Sequence, residues 1–464
     1  MGMLQEEGPL IMSNDGMLVD NPYAWTKLGH LLVLESPAGV GYSYCAAMTH
    51  GGDCNNTDIT TAKAAHAALV DLFTTKFPEW AANPFFITGE SYAGVYAPTL
   101  AAEIVAHNRR LPASSSPRIN LVGMAVGDPC TDTELQRQSM DMLWYAHKYG
   151  LLPTPEYTFL TEQCGASHPS ARMAGAWSVD RKSGRVVPAQ SGRDRFKLAS
   201  RTPNCTLAMR KYLLSTSKGI SQNWEHAYIN ELAFYDPAEE FRFDLPGTLN
   251  YNTAAWMMRD DVKKALHVDT APVKAWPGPT PGWQYTSVYN ACNEQPTDKR
   301  SMVDFYRELA PALPGKIVVY NGDTDPCVSY EGTRVAIRAV GFAEVQPYRP
   351  WFFNFSAASL PFLEKKDLLF GPKLSLQQGG AQYGGSIVDY EHGLSFATVH
   401  GSGHMVPTFR PRAALQLLAH VVGNTSFTPP TISDAALLAL DDNAFDSYVD
   451  QWTLTAEGAP FVRA

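Results

Sequence analysis

This 464-residue chain lacks the marks of several large protein classes. It has no basic block, and its 37 Lys and Arg face 46 Asp and Glu, for a formal net charge of -9. That argues against a nucleic-acid partner. It has no long uncharged apolar run and a mean hydropathy of -0.19, which argues against a membrane span. Its seven cysteines form no C-x-x-C pair, so a zinc or redox site is not indicated, and neither metal nor organic cofactor is expected. The opening residues, MGMLQEEGPL, have neither the basic nor the apolar region of a secretory leader. No internal repeat occurs.

What is present is a core-forming composition. Apolar residues make up 45% of the chain and charged ones 18%, enough for one large domain or a domain with an insertion. Scattered cysteines and four N-x-S/T sequons, at Asn55, Asn204, Asn354 and Asn424, lean toward the secretory pathway, secreted or lysosomal and vacuolar. The start of the chain does not fit that compartment, which leaves a cytosolic protein or a missing beginning as the alternatives.

Short apolar runs read as buried strands: His30–Ser36, Phe85–Gly89, Ile119–Asp128, Lys316–Asp323 and Leu394–His404. Helical spacing of Ala65, Leu69, Leu72 and Phe73 predicts a helix over 61–77, capped by Thr60 or Thr61 and stopped by Pro78. Pro98 suits the first turn of a helix reaching about Asn108. Strands alternating with helices predict an α/β fold with a mostly parallel central sheet flanked by helices. Residues 131–250 have mixed helical and polar character, including the loop-like SVDRKSGRVVPAQSGRDR. They are read as a largely helical cap inserted between a first core part, 1–130, and a second, 251–464.

The stretch PFFITGESYAGVYAP, from Pro84 to Pro98, raises the functional question. A serine flanked by small residues at a strand-to-helix junction can sit on a sharp turn with its oxygen exposed. Gly89 and Gly94 flank Ser91, with Ala93 where the commoner motif has glycine. An ordinary βα turn is the bland reading of such a match. A serine nucleophile also needs a base, an orienting group and oxyanion donors. YNGDTDP places Asp323 and Asp325 just past a strand, and VHGSGHMVP places His400 and His404 after another. The order Ser, Asp, His matches that of α/β-hydrolases. Asp323 and His400 compete with Asp325 and His404 for the two roles.

Across nearly the whole chain, NPYAW (Asn21–Trp25), ESPAGVGYSY (Glu35–Tyr44), TGESYAGVYAP (Thr88–Pro98), VKKALHV (Val262–Val268), YNGDTD (Tyr320–Asp325) and GSGHMVPTFRP (Gly401–Pro411) keep a shared order. With these segments the sequence resembles the serine carboxypeptidase family. The resemblance implies an α/β-hydrolase fold with Ser91 as nucleophile, His404 as base, Asp325 as orienter and the Tyr92 N–H as oxyanion donor. It implies that Glu90, with Glu6 of the EEGP segment (Glu7 being the alternative register), holds the free carboxylate of a peptide substrate. The activity implied is release of single C-terminal residues through an acyl-enzyme, fastest at acidic pH. Peptide and protein C-termini are then the partners, and homodimers occur in such families. The rivals are an acyltransferase on the same scaffold and a non-catalytic binding or protective protein.

The family carries an N-G-G-P-G-C-S-S loop ahead of its E-x-G-P segment, with a second oxyanion donor and a cysteine. Its absence here predicts that the N-terminal strands are missing too. For the disulfides, Cys45–Cys54 and Cys164–Cys205 are candidate local bridges, and Cys130–Cys327 a candidate pair near the site. Cys292 is left over, since its partner in the family is that loop cysteine.

Overall fold

A computed structural model describes residues 2–12, 16–112, 118–136, 142–150, 152–166, 177–179, 186–188, 202–215, 248–280, 282–293, 295–325, 328–355 and 380–458. Near the N-terminus, β1 (Leu10–Met12) and β2 (Leu18–Asp20) pair antiparallel, Leu10 opposite Asp20. β3 (Asn55–Thr57) follows, then β4 (Phe85–Glu90) and β5 (Leu121–Gly127). β6 (Trp177–Val179) and β7 (Val186–Pro188) make an antiparallel pair, and β8 (Gln284–Thr286) runs parallel to β3. The remaining strands are β9 (Ile317–Gly322), β10 (Glu344–Phe355), β11 (Gly380–Tyr390) and β12 (Leu394–Val399). The main helices are α1 (Asp58–Asp71), α2 (Ala93–Arg110), α3 (Met302–Leu309), α4 (Tyr330–Arg338) and α5 (Pro411–Val422).

The central sheet has the order β10-β11-β12-β9-β5-β4. β12, β9, β5 and β4 are parallel, and β11 and β10 continue the sheet antiparallel. Every residue of β9 and β12 is buried, as in central parallel strands covered on both faces. The two-residue side-chain period of a strand splits them between two cores. Met124, Val126, Ile317 and Val319 pack with α2, α3 and α4 on one face. Ala125, Val318, Tyr320, Ala397 and Val399 pack with α5 and Trp351 on the other.

The parallel register fixes where a site can form. Glu90 pairs with Gly127, Gly127 with Tyr320, and Gly322 with Val399. The ends of β4, β5, β9 and β12 therefore lie along one edge of the sheet, where open α/β folds build their sites.

Several expectations need correction. The N-terminal strands are present rather than missing, as β1 and β2 show. His30–Ser36 is not a strand: Leu32, Val33 and Leu34 are 41%, 44% and 38% exposed. An apolar run becomes a strand only when an edge takes up its hydrogen bonds. Here a cavity of about 660 Å³ opens between this segment, α1 and β4. α1 begins earlier than predicted and is capped by Thr57, whose side chain and that of Thr60 form a reciprocal capping box. α2 begins at Ala93, directly after the serine turn, so Pro98 falls inside the helix. Part of the loop-like stretch forms the β6–β7 pair. Cys45–Cys54 and Cys164–Cys205 are bonded as expected. Cys130, however, bonds Cys292 rather than Cys327. The leftover assignment of Cys292 fails because the turn after β5 carries Cys130 to the segment before α3. Cys327 lies outside the described residues.

Within 131–250 the described part includes helices at Met142–Lys148 and Pro203–Ser215. Leu143, Leu160, Cys164, Cys205 and Met209 form a small core of their own. Most of the expected cap lies outside the described residues. Among the described residues no helix is long and apolar enough to cross a membrane. Asn55, Asn204 and Asn424 are exposed and Asn354 is half-buried.

Candidate active site

Ser91 follows the last residue of β4 and adopts φ 63°, a left-handed conformation that costs a non-glycine residue strain. The turn holds it through the backbone. Ser91 N–H donates to Gly127 O at 2.9 Å, and Ser91 O accepts from Gly94 N–H at 2.9 Å and Cys130 N–H at 3.0 Å. The flanking small residues are required by space. A Cβ at Gly89 would stand 2.4 Å from Ala93 Cβ, and one at Gly94 would stand 2.4 Å from Cys130 O. Tyr92 is the N-cap of α2, and the N–H groups at a helix start have no intrahelical acceptor.

The side chain of Tyr92 is pinned as well. Its hydroxyl lies 2.9 Å from Asp58 Oδ1 and 2.8 Å from Ser287 Oγ. Asp58, fully buried at the first turn of α1, also accepts from Tyr285 Oη at 2.7 Å and from the N–H groups of Val288 and Tyr289. One carboxylate thus ties α1, the β8 segment and the residue after the serine together.

The four acid and histidine candidates sort into two pairs. His404 Nδ1 lies 2.8 Å from Asp325 Oδ2, both residues buried. Asp325 Oδ2 also accepts from Val328 N–H at 3.0 Å. An ionised carboxylate only accepts, so Nδ1 carries the hydrogen of a neutral imidazole and Nε2 is its unprotonated nitrogen. His400 Nδ1 lies 2.7 Å from Asp323 Oδ2, and Asp323 Oδ1 accepts from Gly401 N–H at 2.7 Å. That second pair is open to solvent, with the His400 side chain 60% exposed. Its hydrogen bond to Asp323 raises the His400 pKa. The competing residues brace each other and the loop, while the buried pair faces inward.

Glu90 and Glu6 meet as carboxyls. Glu6 is buried, and Glu90 Oε2 is buried without any N–H or O–H donor. The two side chains lie within hydrogen-bonding reach, and burial first, then the charge of Glu6, raises the Glu90 pKa well above the ordinary carboxylate value. A proton held between the two is what satisfies them. Glu7, the alternative register, is pushed up to about 8 by burial and by Glu6. The NPYAW segment holds this corner. Asn21 Nδ2 donates to Glu6 O at 3.0 Å and Gly8 O at 2.8 Å, and Trp25 N–H donates to Glu7 O at 2.9 Å.

One residue of the site was not read from the sequence. Asp128 stands one position past β5, as Ser91 stands one past β4, and that shared placement was the available signal. Polar atoms of Asp128, Asp325 and His404 lie within 4.8 Å of one another, a spacing that could also hold a cation. His404 Nδ1 and Val328 N–H already point at Asp325 Oδ2.

The family model described as "Serine carboxypeptidase" matches residues 1–424, so the match includes the N-terminal segment whose strands were expected to be missing. Serine carboxypeptidase-like 25 of Arabidopsis thaliana is 30% identical over 431 residues, 90% of this chain and 77% of that protein. Lysosomal protective protein of Mus musculus is 26% identical, covering 92% of this chain and 82% of its own length. The crystal structure of KEX1(DELTA)P, a prohormone-processing carboxypeptidase from Saccharomyces cerevisiae, aligns with a TM-score of 0.58 at 19% identity, over 91% of this chain and 80% of that one. At that identity the likeness concerns the fold.

Proposed function

The chain belongs to the serine carboxypeptidase family, and on that premise we propose that Ser91, His404 and Asp325 carry its peptidase chemistry. The observation that supports this most is the buried His404–Asp325 hydrogen bond, on the same sheet edge as the strained Ser91 turn and the Glu6–Glu90 carboxyl pair.

In this reading Ser91 Oγ attacks the last peptide carbonyl while His404 Nε2 takes its proton. Asp325 stays ionised, holds Nδ1–H and favours the imidazolium. The Tyr92 N–H donates to the oxyanion. His404 then returns the proton to the leaving amine, which departs as the free C-terminal amino acid. Water, deprotonated by the same imidazole, releases the acyl group from Ser91. The protonated Glu6–Glu90 pair donates to the substrate's terminal carboxylate, which distinguishes an exopeptidase from an endopeptidase. Raising the pH strips that proton and sets like charges against each other, so binding weakens on the alkaline side.

The two-part core with an inserted cap over 131–250 is retained as the domain reading. Three disulfides and exposed sequons, together with the lysosomal relative, support a place in the secretory pathway or lysosome.

The test is release of free amino acid from N-blocked dipeptides near pH 5. The expected result is hydrolysis by the wild type and none by Ser91→Ala. Transfer of the acyl group to an added alcohol in preference to water would instead identify an acyltransferase.

A further inference from the structure

Along the sheet, β5 lies between β4, which carries Ser91, and β9, which leads to Asp325. The residue that leaves β5 is Asp128, fully buried, with φ 44°. Aspartate is one of the few residues that enters this left-handed region at modest cost. Its main chain is fixed by a 2.7 Å bond from its N–H to Tyr320 O. Its Oδ1 accepts from Gly322 N–H at 2.9 Å and from Asn321 Nδ2 at 3.2 Å. Its Oδ2 is buried with no donor in reach, yet the carboxyl lies against that of Asp325 within hydrogen-bonding reach.

Two adjacent buried carboxyls do not both ionise. Each carboxyl takes two N–H donors, but only those of Asp325 include the imidazole that becomes cationic during turnover. The negative charge therefore belongs on Asp325 and the proton on Asp128.

We propose that Asp128 is a positioning residue of this active site: as the neutral acid it donates from Oδ2 to the Asp325 carboxylate and locks that carboxylate against His404. This rests on the triad assignment above and extends it to a fourth side chain. The titratable groups facing Asp128 are Asp325 and His404 from the loops after β9 and β12, Glu90 at the end of β4, and Tyr320 in β9. The carboxyls among them all oppose its ionisation, in keeping with the upward displacement that burial and Asp325 give it. Once Asp128 does lose its proton, Asp325 loses a donor and gains a like charge, and the relay fails. The proton on Asp128 thus sets an alkaline limit on Ser91 reactivity that is separate from substrate-carboxylate binding.

The experiment measures the rate of Ser91 labelling by diisopropyl fluorophosphate against pH, alongside dipeptide hydrolysis. The probe has no carboxylate, so the labelling profile does not depend on substrate-carboxylate binding by the Glu6–Glu90 pair. Asp128→Asn keeps an acceptor for Gly322 N–H and Asn321 and supplies an amide donor that cannot ionise. Its labelling rate, taken relative to its own value at acidic pH, is expected to persist at alkaline pH where that of the wild type declines. Asp128→Ala is expected to lose about 10- to 100-fold at pH values where wild-type Asp128 keeps its proton, as a charged acceptor losing its donor does, and Asn restores that loss. Asp128→Asn declining with the wild-type alkaline profile overturns the proposal, as does Asp128→Ala labelling at the wild-type rate. Should the variants fail to fold, carbon-13 NMR of aspartate-labelled native protein decides. A carboxyl resonance titrating above the ordinary aspartate range is expected, and its absence overturns the proposal. Wild-type protein that labels but hydrolyses no dipeptide refutes the carboxypeptidase reading alone and leaves the labelling profiles to judge Asp128.

Discussion

At Ser91 the left-handed backbone is held by three hydrogen bonds and by neighbours without room for a larger side chain. Gly94→Ala forces a Cβ onto the Cys130 carbonyl, an overpacking expected to cost about 1–3 kcal/mol. Denaturant unfolding checks this, and labelling of the residual folded protein should be slower because the turn has shifted. Asp58→Ala leaves part-buried donors from Tyr285, Val288 and Tyr289 without that acceptor. A loss of about 3 kcal/mol or more is expected from the desolvated groups, together with lower kcat as Tyr92 loosens. Most of the site was legible at this scale. Ser91, Asp325 and His404 each follow a strand end, and that position, the order Ser, Asp, His and the family resemblance together singled them out. The strand-end pattern alone left the choice between two aspartates and two histidines open, because it depends on which pair is buried, and only the family resemblance favoured Asp325 and His404. Asp128 obeyed the strand-end rule but had no nucleophile or base chemistry to draw attention, and its role depends on Asp325, almost 200 residues away in sequence.

Among the elements, the parallel strands were legible because continuous apolar runs survive only where both faces are covered. β10 and β11 were not, since residues such as Arg349 and Asp389 pair across them and interrupt the apolar pattern. His30–Ser36 misled for the opposite reason: its composition fits a strand, but the segment forms no ladder. The cap of α1 shows the usual uncertainty of helix ends, with Thr57 rather than Thr60 or Thr61 at the N-cap. Thr57→Ala removes an exposed capping box and should cost about 1 kcal/mol, measured as a fall in the unfolding midpoint with unchanged activity.

For the molecule as a whole, the carboxyl cluster links stability to pH. Glu90 and Asp128 have pKa values raised by burial, and Glu7 is raised to about 8. The folded state therefore keeps protons that the unfolded chain has released. Stability from this source is fully present below the ordinary carboxylate values and is lost as pH rises through the folded ones. Thermal midpoints should fall from mildly acidic to mildly alkaline pH, and Glu90→Gln should flatten the decline. The Cys130–Cys292 bond, spanning 162 residues, ties the turn beside Ser91 to the segment before α3, and its loss should cost about 2–5 kcal/mol. The central claim is that Ser91, Asp325 and His404 act as one relay. The most direct test maps the fluorophosphonate adduct by mass spectrometry in the wild type and in His404→Ala. A single adduct on Ser91, slowed at least about 1,000-fold without the imidazole, is the expected result. An adduct on another residue, or labelling of Ser91 that does not depend on His404, would contradict the account.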